Sequence, residues 1–330
     1  MEKTKAVIEL GTNKWRLAMI NSRGENVFYK DHPSKKSMTD RKIGEDYLFA
    51  CLNDFSEELK KQGLDINDSR NVRSIATEGF RVGENSEQLI KQIKEKLGLE
   101  IEIISAKREA ELSLYAIVNS SEQSNKNKLI IDMGGGSTDL ALYVAEENEV
   151  VGTVSLIGSR FFLEKVNSSK GNRQNVFAKE EEKIHQKIEN FKGKTNFDVY
   201  SDNLEIITNT AAIMRIASKE DQNKKFIPLD MVGQKKKALN LMLSMEKISR
   251  MSPQEVFELG YAGFNSAPQT ITGAFIIKEV LAALDLDKNQ KISFSLKGPK
   301  EGVAMEMFAR EKSQNDLSAK ILYTKKMSSR

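Results

Sequence analysis

Cysteine is almost missing from these 330 residues: Cys51 stands alone, so no disulfide can form within the chain. Only two histidines, His32 and His185, accompany it, too few for a nitrogen and sulfur metal site, so any metal must be a hard cation held by oxygen. Long hydrophobic runs are missing too. The longest, such as Leu129-Ile130-Ile131 and Ala274-Phe275-Ile276-Ile277, end in charge far short of the roughly 18 residues of a membrane-spanning helix, which argues against a membrane protein. Met1 to Lys5 leads into Ala6-Val7-Ile8, too short for a secretory core and with no small-residue cleavage site after it, so a cytoplasmic protein is expected. A composition of 39% apolar and 30% charged residues excludes disordered, collagenous and low-complexity chains. Basic residues exceed acidic ones by only 51 to 47; that net charge of +4 mildly favours an anionic partner, and no nucleic acid is expected.

The length suits about two domains. Residues 5–10 are β-branched and apolar, Gly11-Thr12-Asn13 is turn chemistry, and residues 16–20 resume apolar character, a strand, turn, strand unit to which residues 27–30 could add a third strand. Ile43, Tyr47, Leu48, Cys51, Leu52, Phe55 and Leu59 recur at helical spacing, which makes Cys51 a core residue of one buried stripe. A strand at 73–76, a helix through Leu89, Ile90, Ile93 and Leu97 stopped by Gly98, a strand at 101–104, a helix at 109–118 and a strand at 128–132 follow. Such alternation implies an α/β layer with a mostly parallel sheet. The polar segment 120–127 suggests a domain boundary near residue 125, after which 129–132, the turn 134–137 and 139–145 repeat the N-terminal unit. Two glycine turns, each between two strands, predict a duplicated fold with a cleft between the copies. Helices are expected at 176–191, 235–245, 253–259, with Ser252 as cap and Pro253 at its start, and 269–284. A strand at 291–296 and a helix at 301–308 complete the reading, with a frayed or docked helical tail beyond.

The strongest motif is Asp132-Met133-Gly134-Gly135-Gly136-Ser137-Thr138-Asp139, directly after an apolar strand. Successive glycines let backbone N–H groups converge into a nest for phosphate oxygens, and Ser137 and Thr138 can add hydroxyl donors. Two flanking carboxylates would repel a bare phosphate; they suit a divalent cation between acid and phosphate. The motif alone does not choose between kinase, ATPase and phosphatase. Glu9-Leu10-Gly11-Thr12-Asn13 is a second turn of this kind, followed by Lys14 and Arg16, the latter either a site residue or a solvated strand residue. Glu109 opens a helix after Ser105-Ala106-Lys107, where the ordinary reading is a carboxylate favoured by the helix dipole. The lysines 224, 225 and 235–237 either line a path for a polyanion or form a solvated face. His185 reads as solvent-exposed, His32 as a loop residue without a partner, and Trp15 as packing.

The series Ile8 to Leu17, Ala76-Thr77-Glu78-Gly79-Phe80-Arg81, Ile104 to Ala110, Asp132 to Leu140, Ser155 to Phe161, Thr272-Gly273-Ala274 and Gly298-Pro299-Lys300-Glu301-Gly302 resembles, in order, the exopolyphosphatase and guanosine pentaphosphate phosphohydrolase family (Ppx/GppA). The resemblance runs from about residue 5 to residue 308. It implies an α/β, actin-like (ribonuclease H-like) duplicated fold of two domains with an interdomain cleft: residues 1–124, completed by the C-terminal helix 301–325, and residues 125–300. It also implies release of the terminal phosphate of inorganic polyphosphate, or of guanosine pentaphosphate, with Mg²⁺ or another divalent cation, and makes a homodimer plausible. Members often carry further C-terminal domains, for which this chain is too short.

Carried over residue by residue, the resemblance makes Glu109 the general base and Arg81 the phosphate-binding arginine. It places Gly11, Thr12, Asn13, Gly134, Gly135, Gly136, Ser137 and Thr138 around phosphate, and Asp132 with Asp139 or Glu9 at the metal. Departures are visible. Glu9 stands where the family usually has aspartate, Asp139 where it commonly has glutamate, and Lys14 where serine is usual. Ile206-Ile207-Thr208-Asn209-Thr210 falls on a G-x-G-G-T turn with every glycine gone, so its backbone is expected to have changed shape. Ser266-Ala267-Pro268 replaces R-A-D. A binding protein of the same fold that does not turn substrate over is the alternative of a different class.

Overall fold

The computed structural model describes residues 3–34, 38–39, 42–118, 125–169, 171–219, 234–287 and 289–328. The chain divides into two compact units, Met1–Ile104 with Pro299–Arg330, and Ser105–Gly298. The division falls at Ile104 and Ser105 and not near residue 125, because the helix that follows packs on strands of the second unit. Most of the polar segment expected to mark the boundary, residues 119–124, lies outside the described residues.

In the first unit, β1 (Thr4–Leu10), β2 (Lys14–Asn21) and β3 (Asn26–Pro33) form an antiparallel meander. A short hairpin, β4 (Met38–Thr39) with β5 (Lys42–Ile43), leads to α1 (Glu45–Lys61). Then come β6 (Val72–Ala76), α2 (Glu78–Arg81), α3 (Ser86–Leu97) and β7 (Ile101–Ile103). The sheet order is β3-β2-β1-β6-β7, with β6 and β7 parallel to β1. Leu48, Cys51, Leu52, Phe55 and Leu59 of α1 are buried, as their helical spacing predicts, and Trp15 is wholly enclosed beside Tyr47. Gly98 ends α3 at φ 65°, a left-handed turn that costs glycine nothing. His32 departs from its reading: it lies in β3, with Nε2 2.7 Å from Asp54 Oδ2 and its ring beside Phe55.

The second unit opens with α4 (Ala106–Val118), which packs on β8 (Asn127–Met133), β9 (Ser137–Val144) and β10 (Glu149–Ile157). It continues through α5 (Ser159–Asn167), α6 (Arg173–Thr195), α7 (Phe197–Tyr200), β11 (Leu204–Thr208), α8 (Ala211–Lys219), β12 (Lys235–Lys237), α9 (Ala238–Ser249), α10 (Pro253–Glu258), α11 (Ala267–Leu284) and β13 (Lys291–Phe294). The sheet order is β10-β9-β8-β11-β13-β12. As in the first unit, three antiparallel strands are followed by two that run parallel to the first strand of the meander. The same strand order built twice is the duplicated actin-like α/β fold.

Several local readings shift. Lys235–Lys237 is an edge strand before α9, not its first turn; Lys224 and Lys225 lie outside the described residues. Ser252 and Glu255 form a reciprocal cap at α10, with Pro253 in its first turn. The last helix, α12 (Pro299–Ser328), is continuous and belongs to the first unit. His185 is half-buried on α6, with Nε2 3.0 Å from Glu279 Oε2 of α11, in place of the solvated side chain expected. Among the described residues, no helix is long and apolar enough to cross a membrane.

Candidate functional site

Both units collect their polar motifs at the carboxyl ends of their parallel strands, where open α/β sheets bind ligands. In the second unit Asp132 is the penultimate residue of β8, and Asp139 lies directly opposite on β9. Side chains opposite one another across an antiparallel ladder share a face, with Cβ atoms about 4.5–5.5 Å apart. Asp139 is buried, and its Oδ2 accepts a hydrogen bond from Ser137 Oγ at 2.7 Å. Asp132 Oδ2 accepts from Ser113 Oγ of α4 at 3.1 Å and from Asn209 Nδ2 at 2.9 Å. Asn209 Nδ2 also donates to Lys297 O at 3.1 Å, and the next residue, Thr210, takes Met133 N on its Oγ1 at 2.8 Å.

That pair of contacts accounts for the turn without glycine. No residue from 206 to 210 has a positive φ, so the backbone does not call for glycine there. Side chains instead fasten the end of β11 to the end of β8.

The glycine loop is held from one side. Gly134 O accepts from Ser159 N at 3.1 Å, Gly135 O from Arg160 N at 2.9 Å and Phe161 N at 3.1 Å, and Gly136 O from Gly158 N at 2.9 Å. Those donors begin α5, so the helix N-terminus is filled by loop carbonyls. Every described peptide is trans, and a trans unit points its N–H opposite to its carbonyl. The amides of Gly135 and Gly136 therefore face away from α5, as a phosphate nest requires. Gly158 makes this contact possible, since a Cβ there would lie 2.4 Å from Gly136 C and 2.5 Å from Ser137 N. Thr272 Oγ1 braces the junction from α11 by donating to Ser159 O at 2.7 Å, which gives the Thr272-Gly273-Ala274 block a physical role. The two hydroxyls read as phosphate donors are already engaged: Thr138, wholly buried, donates to Ile157 O at 3.0 Å, and Ser137 donates to Asp139.

Glu109 is half-buried in the first turn of α4, where its N–H donates to Ser105 O at 2.9 Å and Ser105 Oγ caps Arg108 N at 3.1 Å. Four residues on, Ser113 shares its helix face, one turn or about 5.4 Å along the axis. Ser113 touches Asp132, so Glu109 starts from the same side of α4 as the hydroxyl on that acid. Neither Ser113 nor Asn209 stood out in the sequence. The i, i+4 relation to Glu109 could have found Ser113, whereas Asn209 carried only the signal of missing glycines.

In the first unit, Glu9 sits one residue from the end of β1, opposite Arg16 on β2. Arg16 Nη1 donates to Glu9 Oε1 at 3.0 Å; Arg16 is thus a partnered strand residue and not a solvated one. Burial pushes the Glu9 carboxyl up, but the charges of Arg16 and Lys300 and the Arg16 hydrogen bond outweigh it and hold the carboxyl below its usual value. Lys300, in the first turn of α12, also pairs with the fully buried Glu301 at 2.8 Å. Lys14 is 2.5 Å from Asp31. Gly11 N closes the β1–β2 turn on Lys14 O at 3.0 Å, and a Cβ on Gly11 would meet that oxygen at 2.9 Å. Ser34 holds the same turn, its Oγ donating to Thr12 O at 2.5 Å and its N to Asn13 O at 3.1 Å. Arg81 Nε donates to Glu78 Oε2 at 2.6 Å and Nη1 to Ile104 O at 2.7 Å, at the ends of β6 and β7.

A hard divalent cation fits Asp132 and Asp139, adjacent carboxylates backed by the donors of Ser137, Ser113 and Asn209. Glu9 fits less well, because Arg16 and Lys300 already balance its charge. The sequence-predicted residues thus form one group in each unit: Glu9, Gly11, Thr12, Asn13 and Arg81 in the first, Glu109 and 132–139 in the second.

Comparisons with known proteins bear on what these groups do. A family model described as the Ppx/GppA phosphatase family matches residues 13–311. A bifunctional 3-dehydroquinate synthase/phosphatase of Fusobacterium nucleatum is 29% identical over 219 residues, 59% of this chain and 32% of that protein. The chain thus spans about a third of the length of this curated relative. Among solved structures, the Aquifex aeolicus member of the Ppx/GppA family is similar with a TM-score of 0.72 at 19% identity, covering 93% of this chain and 98% of that one. An exopolyphosphatase of Cytophaga hutchinsonii is similar with a TM-score of 0.72 at 18% identity, covering 91% and 96%. At such identities the likeness speaks for the fold.

Proposed function

We propose, from the premise that this chain belongs to the Ppx/GppA phosphatase family, that it hydrolyses the terminal phosphoanhydride of inorganic polyphosphate. The observation that carries this reading is the arrangement in the second unit, where Ser113 of α4, one helical turn after Glu109, donates to Asp132 beside a glycine loop whose amides face away from α5. The amides of Gly135 and Gly136 would bind the terminal phosphate oxygens. Glu109 would orient a water for in-line attack and accept its proton at a carboxylate oxygen. Asp132 and Asp139 would hold Mg²⁺, which when bound neutralises charge on the phosphate oxygens and the leaving group.

The test is phosphate release from long-chain polyphosphate with Mg²⁺, for the natural chain and Glu109→Gln in parallel. Release that falls by a factor of about 10² to 10⁴ in the mutant supports a hydrolase with Glu109 as its base. Equal release from both would remove Glu109 from that role. No release from polyphosphate, with release from guanosine pentaphosphate, would move the substrate and keep the chemistry.

A further inference from the structure

We infer that Asn209 is a positioning residue that fixes the Asp132 carboxylate for cation binding, a role the glycines of a bare turn could not fill. This rests on the reading of Asp132 as a cation-holding acid. Two donors from separate elements converge on one oxygen of Asp132: Ser113 Oγ from α4, and Asn209 Nδ2 from the turn after β11. A single donor leaves a carboxylate free to swivel about its Cβ–Cγ bond; two donors on Oδ2 set its plane.

The same Asn209 nitrogen bridges to Lys297 O beyond β13, and Thr210 Oγ1 receives Met133 N. One amide therefore couples the ends of the three parallel strands β8, β11 and β13 at the acid itself. The remaining atom of the amide supports the assignment. Asn209 Oδ1 is buried and has no hydrogen-bond donor, a cost that an apolar residue of similar size would avoid. What the amide offers at this place is its pair of N–H donors, and one of them is on Asp132.

Groups that orient a metal-binding side chain, without touching the metal, typically change its affinity 10- to 100-fold when removed. The experiment titrates Mn²⁺ into the natural chain, Asn209→Ala and Asn209→Leu, without substrate, followed by the paramagnetic resonance of free Mn²⁺. Thermal melting of the metal-free proteins runs alongside. Asn209→Ala is expected to weaken Mn²⁺ binding about 10- to 100-fold, with phosphate release recovering at saturating metal, so that the metal requirement shifts and kcat does not. Unaltered Mn²⁺ affinity in a folded Asn209→Ala overturns the inference.

Asn209→Leu keeps the volume, removes the donors and covers the case in which the alanine variant fails to fold. Its Mn²⁺ affinity should also fall about 10- to 100-fold; an affinity equal to that of the natural chain overturns the inference. The two readings fail separately. A natural chain that hydrolyses polyphosphate but binds no Mn²⁺ overturns this inference and spares the hydrolase. A chain that releases no phosphate, yet loses Mn²⁺ affinity with Asn209→Ala, does the reverse.

Discussion

Arg16 lies directly across the β1–β2 ladder from Glu9 and donates Nη1 to Oε1 at 3.0 Å, while the second oxygen, Oε2, is buried without a partner. One extra methylene, relative to the aspartate expected at this place, carries the carboxylate to an arginine. Removing Arg16 leaves a buried charge with only Lys300 to balance it. Arg16→Met should therefore destabilise the protein by about 3 kcal/mol, read by urea unfolding at neutral pH.

The pH dependence follows from the direction of the same shift. Glu9 is held below its usual 4.5, so the folded state binds its proton less readily than the unfolded chain. Stability from this group is fully present above about pH 4.5 and is lost as pH falls through the lowered folded value. Glu9→Gln cannot titrate, and its unfolding free energy should fall less steeply than that of the natural chain on going from pH 5 to pH 3. Parallel curves would mean that Glu9 is not the source.

Glycine has opposite uses at two places in the second unit. Gly158 has backbone atoms 2.4–2.6 Å from where its Cβ would be, so Gly158→Ala must push the loop 134–136 off α5. A destabilisation of about 1–3 kcal/mol is expected, with loss of phosphate release, because the nest amides move with the loop. Gly193 is an exposed residue of α6 with nothing near its would-be Cβ. Gly193→Ala should stabilise by about 0.4–1 kcal/mol and leave phosphate release unchanged. Calorimetry with the release assay separates the two.

The sheets were legible because apolar strands bracket glycine turns twice, and α1 because six apolar residues, Tyr47 to Leu59, keep one helical stripe, whereas Ile43, read as part of it, lies in β5. β10 was not, since it alternates weakly and contains Gly152, whose missing Cβ lets Thr195 of α6 approach; a Cβ there would meet Thr195 Cγ2 at 2.2 Å. The unit boundary was misplaced because a polar segment says nothing about which sheet the preceding helix packs on. At the site, Glu109, Asp132 and the glycine loop have local signatures. The bond from Asn209 to Asp132 spans 77 residues, and the pairing of His185 with Glu279 spans 94; neither leaves a trace in spacing. The missing glycines marked the right turn, but only the fold reveals what the amide does there.

Thr138 and Ser137 are neighbours with different duties. Thr138 is wholly buried and donates to Ile157 O, so Thr138→Val leaves that carbonyl short of a donor and should lower stability by about 1–3 kcal/mol, with kcat for phosphate release intact. Ser137 serves Asp139 directly, and Ser137→Ala should weaken divalent-cation binding at similar stability. If Thr138→Val lowers kcat more than Ser137→Ala does, the hydroxyl of Thr138 reaches the phosphate during turnover and the sheet contact yields to it.

Arg81 joins two separate acceptors, Glu78 Oε2 at 2.6 Å through Nε and Ile104 O at 2.7 Å through Nη1. A planar fork can do this and a single ammonium cannot, so Arg81→Lys keeps the charge and loses the geometry. Loss of the bond to Ile104 O loosens the junction between α2 and the end of β7 and should lower the unfolding free energy by about 1–2 kcal/mol without any ligand present. Glu78→Gln is the comparison, since it removes the charge partner and leaves the bond to Ile104. A purely structural Arg81 predicts that the lysine variant, once folded at low temperature, releases phosphate with the natural KM. A phosphate-contacting Arg81 predicts that KM rises even there, while Glu78→Gln, with the guanidinium retained, keeps its KM near the natural value.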